Sequence, residues 1–200
     1  FIPKFCFSCF KIQIEPNNVL ELFKLFFIFD KLKIPGENVR KCMVELRPKV
    51  PGTYKGLIYC ESMEEANKIL TIIQPIIVKL VECKIRIKRG CSEYVDIFPN
   101  YKITNKDNIK FMKYNNEWLE KEKKFDDINI QNYTKKKSVM NGLSISDILI
   151  MNNWLNYAKE INDLSYKDIS EEMFCSDIPK MMSKQIEIRK KEFHAKALTT

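Results

Sequence analysis

The chain has 200 residues, a hydrophobic fraction of 45% and a formal net charge of +8. This length suits one domain with additions or two small domains, and the apolar fraction is typical of a folded globular chain. Only five glycines are present, and no two have the spacing of a phosphate-binding loop, which argues against P-loop and dinucleotide-binding proteins.

The positive charge is concentrated in the first part of the chain. Residues 1–90 carry a net charge of about +7, residues 91–140 about +2 and residues 141–200 about −1. A basic excess in one region favours an anionic partner, either nucleic acid or anionic lipid. The alternative is that the charge serves only solubility.

Three features bear on the compartment. The chain begins at Phe1 rather than at methionine, so we expect a processed protein or a segment of a longer product, and with the basic charge this predicts a mitochondrial location. The odd number of cysteines, seven, with several at core-facing strand positions, indicates a reducing compartment and no disulfide framework. No apolar run reaches the ~20 residues of a membrane-spanning helix, so we predict no transmembrane segment.

Apolar and polar residues alternate or recur at helical spacing through residues 1–90. These patterns predict strands over 5–14, 39–47, 54–60 and 83–88, and helices over 18–32 and from 62 to about 73. Ser62 and Glu65 have capping-box spacing at the start of the second helix. Pro75 is expected to end that helix, because its ring clashes with a continued helix.

The first predicted helix, residues 18–32, is apolar on most sides. Its polar positions Glu21, Lys24 and Lys31 form only a narrow stripe. Such a helix needs cover from more than one sheet face. Either the later part of this chain or another protein should therefore lie on it.

The element order β-α-β-β-α-β predicts an α+β fold with a ferredoxin-like split βαβ domain. It would be a four-stranded antiparallel sheet with two helices on one face, the other face open, and residues 5–14 and 54–60 as central strands. We therefore divide the chain into a ferredoxin-like domain over residues 1–90, an extended arm with a short helix over 91–140, and a helical extension over 141–200.

Short segments of this domain resemble the RNA-recognition motif. The resemblance rests on Lys55-Gly56, Glu61-Ser62, Glu64-Glu65-Ala66 and Ile85-Arg86-Ile87, and it covers about residues 5–90. It implies an RNA-binding sheet face. That family stacks bases on aromatic residues of the third strand, but the usual stacking positions hold Lys55 and Leu57, and Tyr59 is the one aromatic left on that face.

Alternation also predicts which side chains point outward from the open face of the sheet. They are seven cations and one aromatic ring: Lys11, Lys41, Arg47, Lys55, Tyr59, Lys84, Arg86 and Lys88. Such a set suits contacts to RNA phosphates with little reading of bases. The alternatives are ordinary solvated strand positions, or cover by the C-terminal part of the chain.

The remainder of the chain is predicted to be an arm followed by helices. Its aromatic residues predict that the arm packs on another surface, with a short helix over 117–125. Lys135–Lys137 form a cationic run that suits a solvated linker. We predict a helix over 144–162, capped by Ser144 or Ser146, and a short helix from 165 to about 174. A final helix from about 176 to 197 would either dock on RNA or an acidic neighbour, or present a solvated face.

Residues suited to catalysis or metal binding do not assemble in the sequence. Cys6 and Cys9 have C-x-x-C spacing, but no second ligand pair follows at zinc-site spacing. The single histidine, His194, lies in the charged final helix, far from any nucleophile. We predict a protein that is not an enzyme and binds no cofactor and no metal.

These observations favour a non-enzymatic structural subunit of a large ribonucleoprotein, such as a mitochondrial ribosome, that contacts RNA phosphates and neighbouring proteins. Two alternatives remain. One is an accessory subunit of a protein-only mitochondrial membrane complex, whose basic face would meet acidic protein or lipid headgroups. The other is a free RNA-processing factor that binds single strands and stacks a base on Tyr59.

Overall fold

The computed structural model describes residues 1–129 except 37, 49 and 92, together with residues 143–169 and 182–197. The elements in chain order are α1 (Lys4–Ser8), β1 (Phe10–Pro16), α2 (Val19–Lys31), β2 (Arg40–Val44), β3 (Tyr54–Cys60), α3 (Met63–Leu80), β4 (Cys83–Arg89), α4 (Tyr94–Ile97), α5 (Glu117–Asn129), α6 (Ile145–Glu160) and α7 (Ser183–Ala197). Two 3₁₀ turns cover Pro99–Lys102 and Leu164–Asp168. The mixture of one sheet and several helices agrees with the predicted α+β class.

The four strands form one antiparallel sheet in the order β2-β3-β1-β4. The first and third strands therefore lie in the centre, and β2 and β4 form the edges. Across the sheet, Ile12 of β1 pairs with Ile58 of β3 and with Ile87 of β4. Because successive strand residues point to opposite faces, this register gathers the apolar residues on one side.

Helices α2 and α3 cover that apolar side. The core between them and the sheet contains Ile12, Ile14, Leu25, Phe29, Ile58, Cys60, Ala66, Ile69, Ile73 and Ile77. Gly56 of β3 is needed here, because an added Cβ would overlap the side chain of Leu25 on α2. The missing side chain at Gly56 therefore allows α2 to approach the sheet closely at this position.

The structure corrects the predicted first strand. Residues 4–8 form the short helix α1, and the strand begins only at Phe10. From the helical turn Phe7 packs in a separate, largely aromatic cluster with Ile2, Tyr101 and Trp118. Contacts with the later chain thus override the local alternation.

The structure also corrects the predicted end of the second helix. Helix α3 continues through Pro75 to Leu80. Pro75 is exposed, so the carbonyl that it leaves without an N–H donor can be solvated, while Ile77 in the next turn is fully buried in the core. Burial of the last turn offsets the cost of the proline.

The later part of this chain covers the apolar helix α2, which is the first of the two alternatives that the sequence left open. Val19, Leu22 and Phe23 of α2 pack in one cluster with Trp154 and Ala158 of α6. Helix α6 is capped at Ser144, with Asp147 completing a capping box.

A buried carboxylate joins the two parts of the chain. Asp163, 1% exposed, accepts hydrogen bonds from the Val19 amide at 2.8 Å and from the Tyr54 hydroxyl at 2.6 Å. The C-terminal region is therefore tied to both α2 and the sheet. None of the helices in the residues described above has the length and apolar character to cross a bilayer.

The arm folds back on the N-terminus. Tyr94, Phe98, Tyr101 and Trp118 pack around Phe7 in the aromatic cluster, and α5 extends to Asn129, beyond the predicted short helix. In the C-terminal part a 3₁₀ turn over Leu164–Asp168 replaces the start of the predicted helix from residue 165, and α7 ends at Ala197. The Lys135–Lys137 run and the start of the last helix near Ser176 lie outside the described residues.

Candidate nucleic-acid interface

The side of the sheet turned away from α2 and α3 carries the polar strand residues, and we call it the polar face. Two adjacent rows of its side chains carry most of the predicted contacts. Strand pairing aligns Tyr59 with Lys11 and Lys88 in one row. It aligns four residues, one from each strand, in the other row: Lys41, Leu57, Gln13 and Arg86. Cations therefore occupy both ends of the second row, about 14 Å apart at a strand spacing of about 4.8 Å.

The predicted contact Lys55 lies on the polar face but is not free to meet a ligand. Its ammonium group donates to Glu45 at 2.9 Å, and the two side chains are 3% and 1% exposed. Burial lowers the pKa of Lys55, while the Glu45 carboxylate acts in the opposite direction. Lys55 is thus a buried ion-pair partner, which corrects its predicted outward exposure.

Glu45 is the centre of this buried cluster. It accepts from Arg47 Nη2 at 2.8 Å, from Arg47 Nε at 2.9 Å and from the Arg47 amide at 3.0 Å. Burial alone would raise the pKa of Glu45, but the hydrogen bonds from Arg47 and Lys55 outweigh it and lower the pKa to about 2. Arg47 keeps half of its side chain exposed, and its remaining guanidinium edge faces Glu93 at 3.5 Å.

Helix α7 holds the loop that carries Arg47. The Arg189 side chain of α7 is completely buried and donates to the Arg47 carbonyl at 2.8 Å and also to the Val50 carbonyl. The loop between β2 and β3 is therefore fixed by the C-terminal extension. Arg47 itself lies beyond the end of β2 at Val44, so the predicted strand to residue 47 is three residues too long.

The predicted aromatic contact Tyr59 already has a cation against its ring. The Lys11 ammonium lies 4.9 Å from the ring centroid and also donates to Cys91 Sγ at 3.6 Å. A cation over the aromatic face is a favourable contact in its own right. A base could stack on that side of Tyr59 only by displacing Lys11. The Lys11 side chain is itself buried, which corrects its predicted exposure to solvent.

The centre of the polar face holds a glutamine that the sequence prediction did not select. Gln13, 1% exposed, donates through Nε2 to Glu15 Oε1, and Arg86 donates to the same oxygen at 2.6 Å. Gln13 Oε1 is buried and accepts no hydrogen bond. Alternation with Lys11 places Gln13 on this face, so the sequence contained the signal, but a neutral residue among cations did not stand out.

The other predicted cations are more accessible. Lys41, Lys84 and Arg86 are exposed, and Lys88 is half-buried. Burial, together with the neighbouring cations Lys55 and Lys11, lowers the pKa of Lys88 to about 8. This ammonium group would be stabilised by an approaching anion.

Two adjoining concavities open along this surface. One of about 380 Å³ lies over the middle of the polar face, and one of about 640 Å³ lies beside β4. Among the described residues that line each of them, five are cationic and two are acidic. Arg47, Lys88 and Glu93 border both. The predicted site residues are thus brought together, except that Lys84 lines neither concavity.

Comparison with known proteins gives no relative: no family model, curated protein or solved structure matches the chain. The residues considered for chemistry do not come together in one site. Cys6 lies in α1 and His194 is exposed on α7. Within the described ranges, no group of three or more His, Cys, Asp or Glu side chains is arranged to hold a metal ion.

Proposed function

We propose that this protein is a non-enzymatic structural subunit of a large ribonucleoprotein, such as a mitochondrial ribosome, and that its polar face binds RNA phosphates. The observation that carries the proposal is the cationic surface of the two concavities, each lined by five cations against two carboxylates. Phosphate groups supply the charge that such a surface lacks, and they require no particular base sequence.

The proposed fold is the ferredoxin-like arrangement of RNA-recognition motifs. Two observations support it. The sheet order β2-β3-β1-β4 has the first and third strands in the centre, and helices α2 and α3 connect β1 to β2 and β3 to β4 on one side. An RNA partner would then meet the sheet on the side opposite the helices.

The contacts within the polar face favour phosphates over stacked bases. Lys11 occupies one side of the Tyr59 ring, and Lys55 is neutralised by Glu45. The accessible groups are cations at the edges of the sheet: Lys41 on β2, and Lys84, Arg86 and Lys88 on β4. For this reason we prefer a phosphate-binding subunit to a free factor that reads single strands by stacking.

Neighbouring protein subunits are the second part of the proposal. Helix α3 exposes Ile72, Ile76, Val78 and Leu80, and helix α6 exposes Ile145, Ile148 and Leu149. Exposed apolar residues grouped on a helix are typical of surfaces that another protein covers. The same observation favours the second candidate, an accessory subunit of a protein-only mitochondrial complex, in which the cationic face would meet acidic groups of protein or lipid.

Binding of the purified full chain to a single-stranded RNA 20-mer, measured by fluorescence anisotropy, tests the proposal. Replacing Lys41, Arg86 and Lys88 together by Gln should weaken binding about 10- to 100-fold, because three phosphate contacts are lost. The matched control replaces three cations on the helix side by Gln: Lys24, Lys68 and Lys79. It removes the same net charge and should change binding by less than about threefold.

Equal losses in the two triple variants would show that net charge alone attracts RNA and would remove the polar face from the proposal. Absence of RNA binding at low salt, with binding to vesicles containing anionic lipid, would favour the protein-only membrane complex instead.

A further inference from the structure

We propose that the polar face distinguishes RNA from DNA by accepting a hydrogen bond from a ribose 2′-hydroxyl at Gln13 Oε1. The inference rests on the proposed RNA-binding function and assigns a specific group to it. Gln13 Oε1 would be a hydrogen-bond acceptor at the centre of the polar face, whose other proposed ligand contacts are cations.

The starting observation is an acceptor without a donor. Gln13 is 1% exposed, lines the 380 Å³ concavity, and its Oε1 atom has no hydrogen-bond partner. A buried polar atom left unpaired is unfavourable and uncommon in folded proteins. A ligand that brings a donor into the concavity would remove this penalty on binding.

The orientation of the amide is fixed by its neighbours. Nε2 donates to the Glu15 carboxylate, which also accepts from Arg86 at 2.6 Å. The reverse orientation would set the amide oxygen against the carboxylate oxygen, which offers no proton. The unpaired group of Gln13, a residue that lines the concavity, is therefore an acceptor, and the matching ligand group must be an N–H or O–H donor.

The position of Gln13 selects the sugar rather than the base as that donor. Gln13 lies in the row between Leu57 and Arg86, and the adjacent row contributes Lys11 and Lys88. Phosphates attracted to Arg86 and Lys88 hold the sugar close by, since the 2′-hydroxyl is on the carbon next to the one that carries the 3′-phosphate. The 2′-hydroxyl is also the group by which proteins tell RNA from DNA.

The carboxylates of the surface do not oppose this binding mode strongly. Glu15 is paired with Arg86, Glu45 with Lys55 and Arg47, and Glu93 faces Arg47 at 3.5 Å. Leu57, 6% exposed, supplies an apolar contact beside Gln13 against which the sugar carbons can pack. No stacked base is required, which is consistent with a Tyr59 ring that already carries Lys11.

The test compares three octamers of one sequence, built only of adenine and cytosine so that the bases are identical, as RNA, DNA and 2′-O-methyl RNA. The full chain should bind the RNA about five- to tenfold more tightly than the other two, since each of them lacks the donor. In Gln13→Met, RNA affinity should fall to the level of DNA while DNA affinity is unchanged. Lys88→Gln is the matched control and should weaken all three octamers alike.

Gln13→Met removes a buried unpaired acceptor together with the Nε2 hydrogen bond to Glu15, so thermal unfolding is measured first to show that the variant folds. If this variant does not fold, the 2′-O-methyl octamer still decides the matter on the unaltered protein. Equal binding of all three octamers would overturn the inference and leave phosphate binding in place. Binding of none of them at low salt would overturn both.

A free ribonucleotide offers the same chemistry as a strand, and competition separates the two sources. Cytidine monophosphate carries a single phosphate and should displace the RNA octamer only at millimolar concentration. Displacement at micromolar concentration would assign the site to a free ribonucleotide and contradict its use in binding an RNA strand.

Discussion

The two faces of the sheet both bury their central residues, but in different surroundings. On the helix side Ile12 and Ile14 are fully buried beneath α2 and α3. On the polar face Lys11 and Gln13, the alternate residues of the same strand, are also buried, although neither helix covers them. Both residues line the 380 Å³ concavity together with Glu45 and Glu93.

This difference separates residues that hold the structure from residues that can meet a partner. On the helix side the core between the sheet and the helices consists of apolar groups that are satisfied by packing. On the polar face a buried ion pair, Lys55 with Glu45, lies near an acceptor with no donor at Gln13. The cations that remain accessible lie toward the two edges of the sheet, so we expect the phosphate contacts there, while the proposed ligand contact in the centre is the Gln13 acceptor.

The largest expected effect is loss of the buried ion pair. Glu45→Gln leaves the Lys55 ammonium buried without a counter-charge and should lower the free energy of unfolding by about 3–5 kcal/mol in urea titrations. Glu93→Gln is the control and should lower the free energy of unfolding by less than about 1 kcal/mol. The Glu93 carboxylate is 59% exposed and faces the same Arg47. Adding Lys55→Met to Glu45→Gln should restore most of the stability; no recovery would show that the ion pair does not close this face.

The same pair predicts an acid dependence of stability. The pKa of Glu45 is lowered to about 2 in the folded protein from an ordinary 4.5. Its contribution is therefore complete above about pH 4.5 and is lost as the pH falls toward 2. Thermal unfolding of Glu45→Gln should vary less over this interval than that of the wild type.

A smaller effect is expected for the pH dependence of RNA binding. Lys88 has a pKa of about 8 because burial, followed by neighbouring cations, disfavours its charged form. An adjacent phosphate favours that form, so RNA affinity should fall several-fold between pH 7 and pH 9 as the free protein loses this proton. Lys88→Arg keeps its charge and should show a flatter profile; identical profiles would place Lys88 away from the RNA.

The sequence predicted the two sides of the sheet better than the accessibility of individual residues. Alternation assigned Lys11, Lys55 and Tyr59 to the polar face, where they lie, because strand periodicity is a local property. It could not show that Lys55 pairs with Glu45, since that contact depends on the bend of the chain after Val44 and on Arg189 from α7.

Tertiary contacts also account for the errors in the elements. Residues 4–8 are helical because Phe7 packs with the arm, and α3 passes Pro75 because Ile77 is buried in the core. In both cases burial outweighed a local preference. Gln13 was overlooked for another reason: its unpaired oxygen becomes evident only when the positions of Glu15 and Arg86 are known.

The central claim is that the polar face binds RNA phosphates, and the salt dependence of binding tests it most directly. For the full chain and a single-stranded RNA, the logarithm of the association constant should fall linearly with the logarithm of salt concentration, with a slope of about −0.7 for each phosphate contacted. Lys41→Gln and Lys88→Gln should each make this slope shallower by about 0.7, while Lys68→Gln on α3 should leave it unchanged. Unchanged slopes in the two polar-face variants would contradict the account.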